Sequence, residues 1–106
     1  ERGADINKAL NNGATPLFIA SGNGHVEVVR ILLERGADIN KAMNTGTTPL
    51  YIASSQGHVE VVRVLIGRGA DINKADSDGA TPLFIAKQYR WTEVIELLES
   101  ATAAQV

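Results

Sequence analysis

The sequence contains no cysteine, which excludes a disulfide framework and any thiolate metal site. A reducing interior suits such a chain, so an intracellular, cytoplasmic setting is expected. Charge of one sign is missing as well: Lys and Arg number 10 against 12 Asp and Glu, for a formal net charge of −2. Acids and bases alternate along the chain, and neither nucleic acid nor an anionic membrane surface is expected as a partner, since both call for a basic patch. No apolar run reaches the length of a membrane span and no signal-like start is visible. Histidine occurs twice, as His25 and His58. No Cys-His or His-rich spacing suggests a metal, and the glycines fit neither GxGxxG nor GxxxxGK[ST]. At 106 residues and 44% hydrophobic, the composition is that of one ordinary globular domain.

What is present is a period. Residues 13–45 recur as residues 46–78 with 23 of 33 positions identical, a third copy opens at Gly79, and the opening ERGADINKA repeats the tail of a copy. Self-similarity at this spacing marks a repeat architecture, in which each unit buries its apolar face only against its neighbours.

Inside one unit, Thr15-Pro16 reads as an N-cap and first helical residue, because the hydroxyl accepts an orphan amide and proline has none to leave unpaired. A short helix is predicted from Pro16 to about Gly22, ended by Asn23-Gly24. Leu17, Phe18, Ile19 and Ala20 are consecutive apolar residues, so this helix is expected to be covered on several sides. A second helix is predicted from Val26 to about Arg35, with Gly36 at the left-handed position beyond it. Its polar Glu27, Arg30 and Glu34 form one narrow stripe. The remaining Val26, Val28, Val29, Ile31, Leu32 and Leu33 cover an arc wide enough to be sandwiched between the units on either side. After Gly36, Ala37-Asp38-Ile39-Asn40 and Asn44-Thr45-Gly46 read as an extended connection with a projecting tight turn. The marks recur in register at Pro16, Pro49 and Pro82; Gly3, Gly36 and Gly69; Asp5, Asp38 and Asp71; Asn7, Asn40 and Asn73.

TPLFIA, TPLYIA and TPLFIA, the GHVEVV segments and the three GADIN segments closely resemble the ankyrin repeat family, over the chain up to about Glu99. The resemblance implies an all-α fold: a slightly curved, right-handed solenoid of stacked antiparallel helix pairs, with β-turn or hairpin loops projecting to form a concave face. The domain is then residues 1–100, made of a partial repeat tail (1–12), two repeats (13–45 and 46–78) and a C-terminal capping repeat (79–100), with 101–106 a frayed tail. Because the chain opens in mid-repeat, the inward faces of the first helix pair are expected to be exposed. Either the chain is part of a longer array or something else covers that edge, and end-to-end self-association there is one outcome.

Several positions depart from the family pattern. Phe18, Tyr51 and Phe84 stand where the family places histidine after TPL, forming either a half-buried aromatic ladder or a ligand-binding stripe. Leu10 and Met43 replace the aspartate that Asp76 keeps before the turn tip, and either pack the turns together or offer an apolar contact. In the third copy Gly-His becomes Arg90-Trp91, and no GADIN follows. That copy is read as a cap whose last helix carries Glu93, Glu96 and Glu99. Arg90 costs about 1 kcal/mol if it keeps the positive φ of the glycine it replaces.

Chemistry is not supported. His25 and His58 are one position repeated, as are Asp5, Asp38 and Asp71, and translated copies do not converge on a substrate. No cofactor, metal or small-molecule substrate is expected, and the chain is read as non-catalytic. The family resemblance implies instead a protein partner held by the turn tips and the exposed side of the first helices. Carried onto this sequence, those positions are Asn11, Asn12, Asn23, Asn44, Thr45, Thr47, Ser55, Gln56, Ser77, Asp78, Gln88 and Tyr89, with the small residues Ala9, Ala14, Gly22, Ala42, Ala75 and Ala80 between them; Met43 and Trp91 are expected to join Tyr89 in touching the partner. The Lys8-Lys41-Lys74 and Arg2-Arg35-Arg68 ladders read as solvated faces. Related proteins are hydroxylated on a loop asparagine preceded by an acid-aliphatic pair and, eight residues back, a leucine; Leu32-Asp38-Ile39-Asn40 and Leu65-Asp71-Ile72-Asn73 match, making Asn40 and Asn73 candidate modification sites. The alternative function is a targeting or regulatory segment of a larger enzyme or effector.

Overall fold

In a computed structural model, residues 5–104 are described. Readings that involve Arg2, Gly3, Gln105 and Val106 lie outside them. Six helices follow in order: α1 (Pro16–Gly22), α2 (Val26–Glu34), α3 (Pro49–Ser55), α4 (Val59–Gly67), α5 (Pro82–Gln88) and α6 (Thr92–Ala104). No strand occurs among the described residues.

The three short helices begin identically. Thr15, Thr48 and Thr81 each adopt extended backbone and accept the amide of Phe18, Tyr51 and Phe84 through the side-chain oxygen, with proline as the first helical residue. Each such cap is worth about 1 kcal/mol. The helices pair within each unit and stack between units: α1, α3 and α5 form one row, and α2, α4 and α6 another. The stack measures 40 × 26 × 25 Å. Its core is aliphatic, running through Leu17, Val29, Leu50, Val61, Val62, Leu65, Val94 and Leu98.

The loops between units form a second tie. Asp5, Asp38 and Asp71 each accept the amide two residues on through Oδ1, at 2.9, 3.1 and 3.0 Å. Asn7 Oδ1 then accepts the Asp38 amide at 2.8 Å, and Asn40 Oδ1 the Asp71 amide at 2.9 Å. Each asparagine therefore fastens its own loop to the next, which explains why GADIN recurs unaltered.

The structure refines or corrects four readings. The short helices are covered on several sides, as expected, with Phe18 half-buried and Ile19 exposed on the side that remains. The sandwich read for the second helix is met by α4, and the inward face of the first pair is open as expected: Val28 is 46% exposed while its counterpart Val61 is 1% exposed. No preceding helix pair lies against α2 among the described residues. Third, α6 continues through Ala104 rather than fraying from Ala101; the position matching Gly36 and Gly69 is Thr102, whose hydroxyl donates to the Leu98 carbonyl at 2.8 Å, and Ala101 packs against the core. Without a glycine to stop it, the helix runs on. Last, Ala14, read as part of the contact surface, is buried beneath its turn.

Candidate protein-interaction surface

At the turn tips the backbone closes on itself and then on its neighbour. Leu10, Met43 and Asp76 donate their amides to Ala14, Thr47 and Ala80, closing each tip. Between tips, the Asn44 amide donates to the Asn12 carbonyl at 2.9 Å, and its Nδ2 to the Asn11 carbonyl at 3.1 Å. One repeat on, Ser77 donates both its amide and its hydroxyl to the Thr45 carbonyl. Asn11, Asn12, Asn44, Thr45, Ser77 and Asp78 stay exposed, while Met43 and Thr47 are half-buried. Leu10 is exposed, whereas Met43, one repeat on, is half-buried.

The third tip is charged where the others are neutral. Asp76 Oδ1 accepts the amides of Ala80 and Asp78, both at 2.9 Å. The Ala80 bond above all, with the Asp78 amide and the Tyr51 hydroxyl, holds its carboxyl below the usual carboxylate range. Conversely, partial burial first and the neighbouring Asp76 second push the Tyr51 phenol up.

Along the first-helix side, Phe18, Tyr51 and Ile52 are half-buried, Ile85 likewise, and Phe84 is 52% exposed. Phe18, Ile19, Gly22 and Asn23 border a shallow groove of about 380 Å³ with Ile52 and Gln56 of the next unit. A similar hollow beside α5 is lined by Phe84, Lys87, Gln88 and Arg90. Tyr89, the residue capping α5, is 59% exposed. These side chains form an apolar and aromatic stripe across all three units, edged by the polar tips.

Trp91 has a different position from the one its size suggests. His58 Nε2 lies 3.0 Å from the Gly22 carbonyl, and Trp91 Nε1 donates to the Ser55 carbonyl at 2.9 Å. The two pairs are one period apart. A ring nitrogen reaching back to the end of the previous first helix is therefore kept although histidine has become tryptophan. The rings lie over Gly24 and Gly57, where a Cβ would stand 2.7 Å from His58 and 2.6 Å from Trp91. Both glycines also hold positive φ, and Arg90 holds it too, at 60°.

A family model described as ankyrin repeats in three copies matches residues 2–76. The chain belongs to the ankyrin repeat family. Among curated proteins none matches it at a significant level. The fold agrees with that membership, and the helix pair α5/α6 beyond the matched stretch continues the same stacking. No cluster of three or more His, Cys, Asp or Glu that could hold a metal occurs among the described residues, and no helix is long and apolar enough to cross a membrane. Proteins built from ankyrin repeats are generally protein-interaction modules, typically without catalytic activity.

Of the residues read as contacts from the sequence, the structure brings Asn11, Asn12, Asn44, Thr45, Ser77 and Asp78 together along the tips. Ser55, Gln56, Gln88 and Tyr89 gather at the far end of the first helices. Trp91 donates to the Ser55 carbonyl of the unit before and is still 40% exposed. The sequence reading missed Ile19, Ile52 and Ile85 as part of the open side. Their spacing of one period was visible, but the run of four apolar residues in each short helix gave no sign of which side stayed open.

Proposed function

We propose that this ankyrin array holds a protein partner across the side formed by the turn tips and first helices, with the aromatic stripe as the centre of contact. The observation that carries this reading is the stripe itself: Phe84 and Tyr89 stand open beside half-buried Phe18, Tyr51, Ile52 and Ile85. Apolar surface of this kind, rimmed by polar groups, is where affinity concentrates, and aromatic side chains supply much area for little lost rotamer freedom. The tips, tied to one another by main-chain bonds, present Asn44, Thr45 and Asp78 in a fixed row, so little ordering entropy opposes binding. Partners captured from cells with the full chain would be compared with those captured by a Phe84→Ala/Tyr89→Ala variant. Each truncation at a central contact is expected to cost about 2 kcal/mol of binding, with the thermal melt unchanged. A partner bound equally well by both forms would remove the reading.

Asn40 and Asn73 are further proposed as acceptors for an asparaginyl hydroxylase. Asn73 is exposed, while Asn40 holds the Asp71 amide. Incubation with such an enzyme followed by peptide mass spectrometry is expected to show the gain of one oxygen at Asn73 before Asn40; no gain at either would end the proposal.

A further inference from the structure

Two asparagines, Asn12 and Asn23, are each followed by glycine; Asn7, Asn11, Asn40, Asn44 and Asn73 are followed by residues that carry side chains. Glycine leaves its main-chain nitrogen open to the side-chain carbonyl carbon of the residue before it, an approach that a Cβ and its substituents hinder. Attack there is the route by which asparagine loses ammonia without an enzyme. The later units have no such pair at the matching places: Thr45 and Asp78 correspond to Asn12, and Gln56 and Tyr89 to Asn23.

The fold treats the two pairs differently. Ring closure requires the peptide after the asparagine to turn, and every bond made by that peptide or by the side chain resists the turn. At the first tip Gly13 donates its amide to the Leu10 carbonyl at 2.8 Å, and the Asn12 carbonyl accepts the Asn44 amide at 2.9 Å. Asn12 Oδ1 also accepts the Ala14 amide at 3.0 Å. One of these three bonds joins two units. Asn23 is exposed, and its side chain makes no hydrogen bond among the described residues. The peptide between Asn23 and Gly24 is held by a longer bond, from the Gly24 amide to the Ser21 carbonyl at 3.3 Å. The ψ of Asn23, −3°, is not the one ring closure needs, so that bond must open first. It lies at the end of a helix of two turns, where opening costs least. Exposure here does not come from standing in the outermost unit, because Gln56, inside the stack, is exposed as well.

We propose that Asn23 is a site of non-enzymatic deamidation in the folded protein, while Asn12 is shielded. The Gly24 nitrogen bonds to Asn23 Cγ and gives up its proton; the Cγ–Nδ2 bond breaks, and ammonia leaves with that proton, closing a succinimide ring. Water opens the ring at either carbonyl, to aspartate or to isoaspartate, with no oxidant or reductant involved. Either product sets a carboxylate on the rim of the groove that Asn23 shares with Phe18, Ile52 and Gln56. The surface proposed above for a partner then gains negative charge as the protein ages, although the chemistry does not depend on that reading. Isoaspartate also routes the main chain through Cβ just before Gly24, on which the His58 ring lies, and so disturbs the joint between the first two units. The full chain would be incubated at mildly alkaline pH, native and in guanidinium chloride, with both asparagines followed by peptide mass spectrometry. In the denaturant the two Asn-Gly pairs are expected to react at similar rates, each gaining one mass unit. In the native protein Asn23 is expected to react several-fold faster than Asn12. Asn23→Gln needs a larger ring and installs the residue that the second unit carries as Gln56; it is expected to fold and to stay unmodified there. Native Asn23 that stays intact while the denatured chain reacts would overturn the proposal, as would Asn12 reacting ahead of Asn23.

Discussion

Arg90 sits in a backbone conformation that glycine supplies in the two earlier units. Its φ of 60° is kept because Trp91, immediately after it, must still reach the Ser55 carbonyl. Left-handed backbone costs a residue with a Cβ about 1–2 kcal/mol. Arg90→Gly should therefore raise unfolding free energy by about 1 kcal/mol, read as a shifted urea midpoint with unchanged slope. The substitution was plain in the sequence, but whether the turn would relax around it was not: that depended on a hydrogen bond spanning more than one period. Asp76 gives a second test at this scale. Its folded pKa is lowered, so its charged form stabilises the protein above the ordinary aspartate value of about 3.9. That stabilisation is lost as pH falls through the folded value. Asp76→Asn should flatten the acid limb of the stability profile below about pH 4 and leave the neutral region with only the altered turn bonding. An acid limb identical to that of the parent chain would refute the assignment.

At the scale of the element, α2 and α4 share VEVVR and begin at the same register, yet they are not equivalent. Leu65 is fully buried in α4, while Leu32 in α2 is only half-buried. Leu65→Ala should cost about 2–5 kcal/mol, the range for an aliphatic core truncation, and Leu32→Ala clearly less, measured by chemical denaturation. Equal costs would mean that α2 is covered in solution as fully as α4. Helix positions were legible from the sequence because threonine, proline and glycine recur as start and stop signals. The extension of α6 to Ala104 was misread as a frayed tail, although the glycine missing at Thr102 marked it. The missed side of α1, α3 and α5 was not, because four consecutive apolar residues leave the buried and open sides of one short helix indistinguishable by pattern.

For the whole molecule, the period decides the architecture and not the exposure of any one copy. Two nearly identical segments differ in burial because one lies inside the stack and the other at its end. In such an array, stability is a sum of unit and joint contributions, and end units have one joint fewer. Native-state hydrogen exchange at low concentration should therefore find the amides of α3 and α4 best protected and those of α1 and α2 opening at lower free energy. Uniform protection across the six helices would show that the chain opens only as one cooperative body. The exposed ion pairs Arg30–Glu27 and Arg63–Glu60, each at 3.6 Å, add little to this gradient, since such pairs are worth about 0–1 kcal/mol.

The bond from the Trp91 indole to a main-chain carbonyl leaves the identity of the storey below unread. Excising residues 46–78 would bring Gly22 and Gly24 to the places that Ser55 and Gly57 hold now, offering the indole the same oxygen and the same bare backbone to lie on. The protein's height is then adjustable in whole storeys, with its roof transferable from one floor to the next.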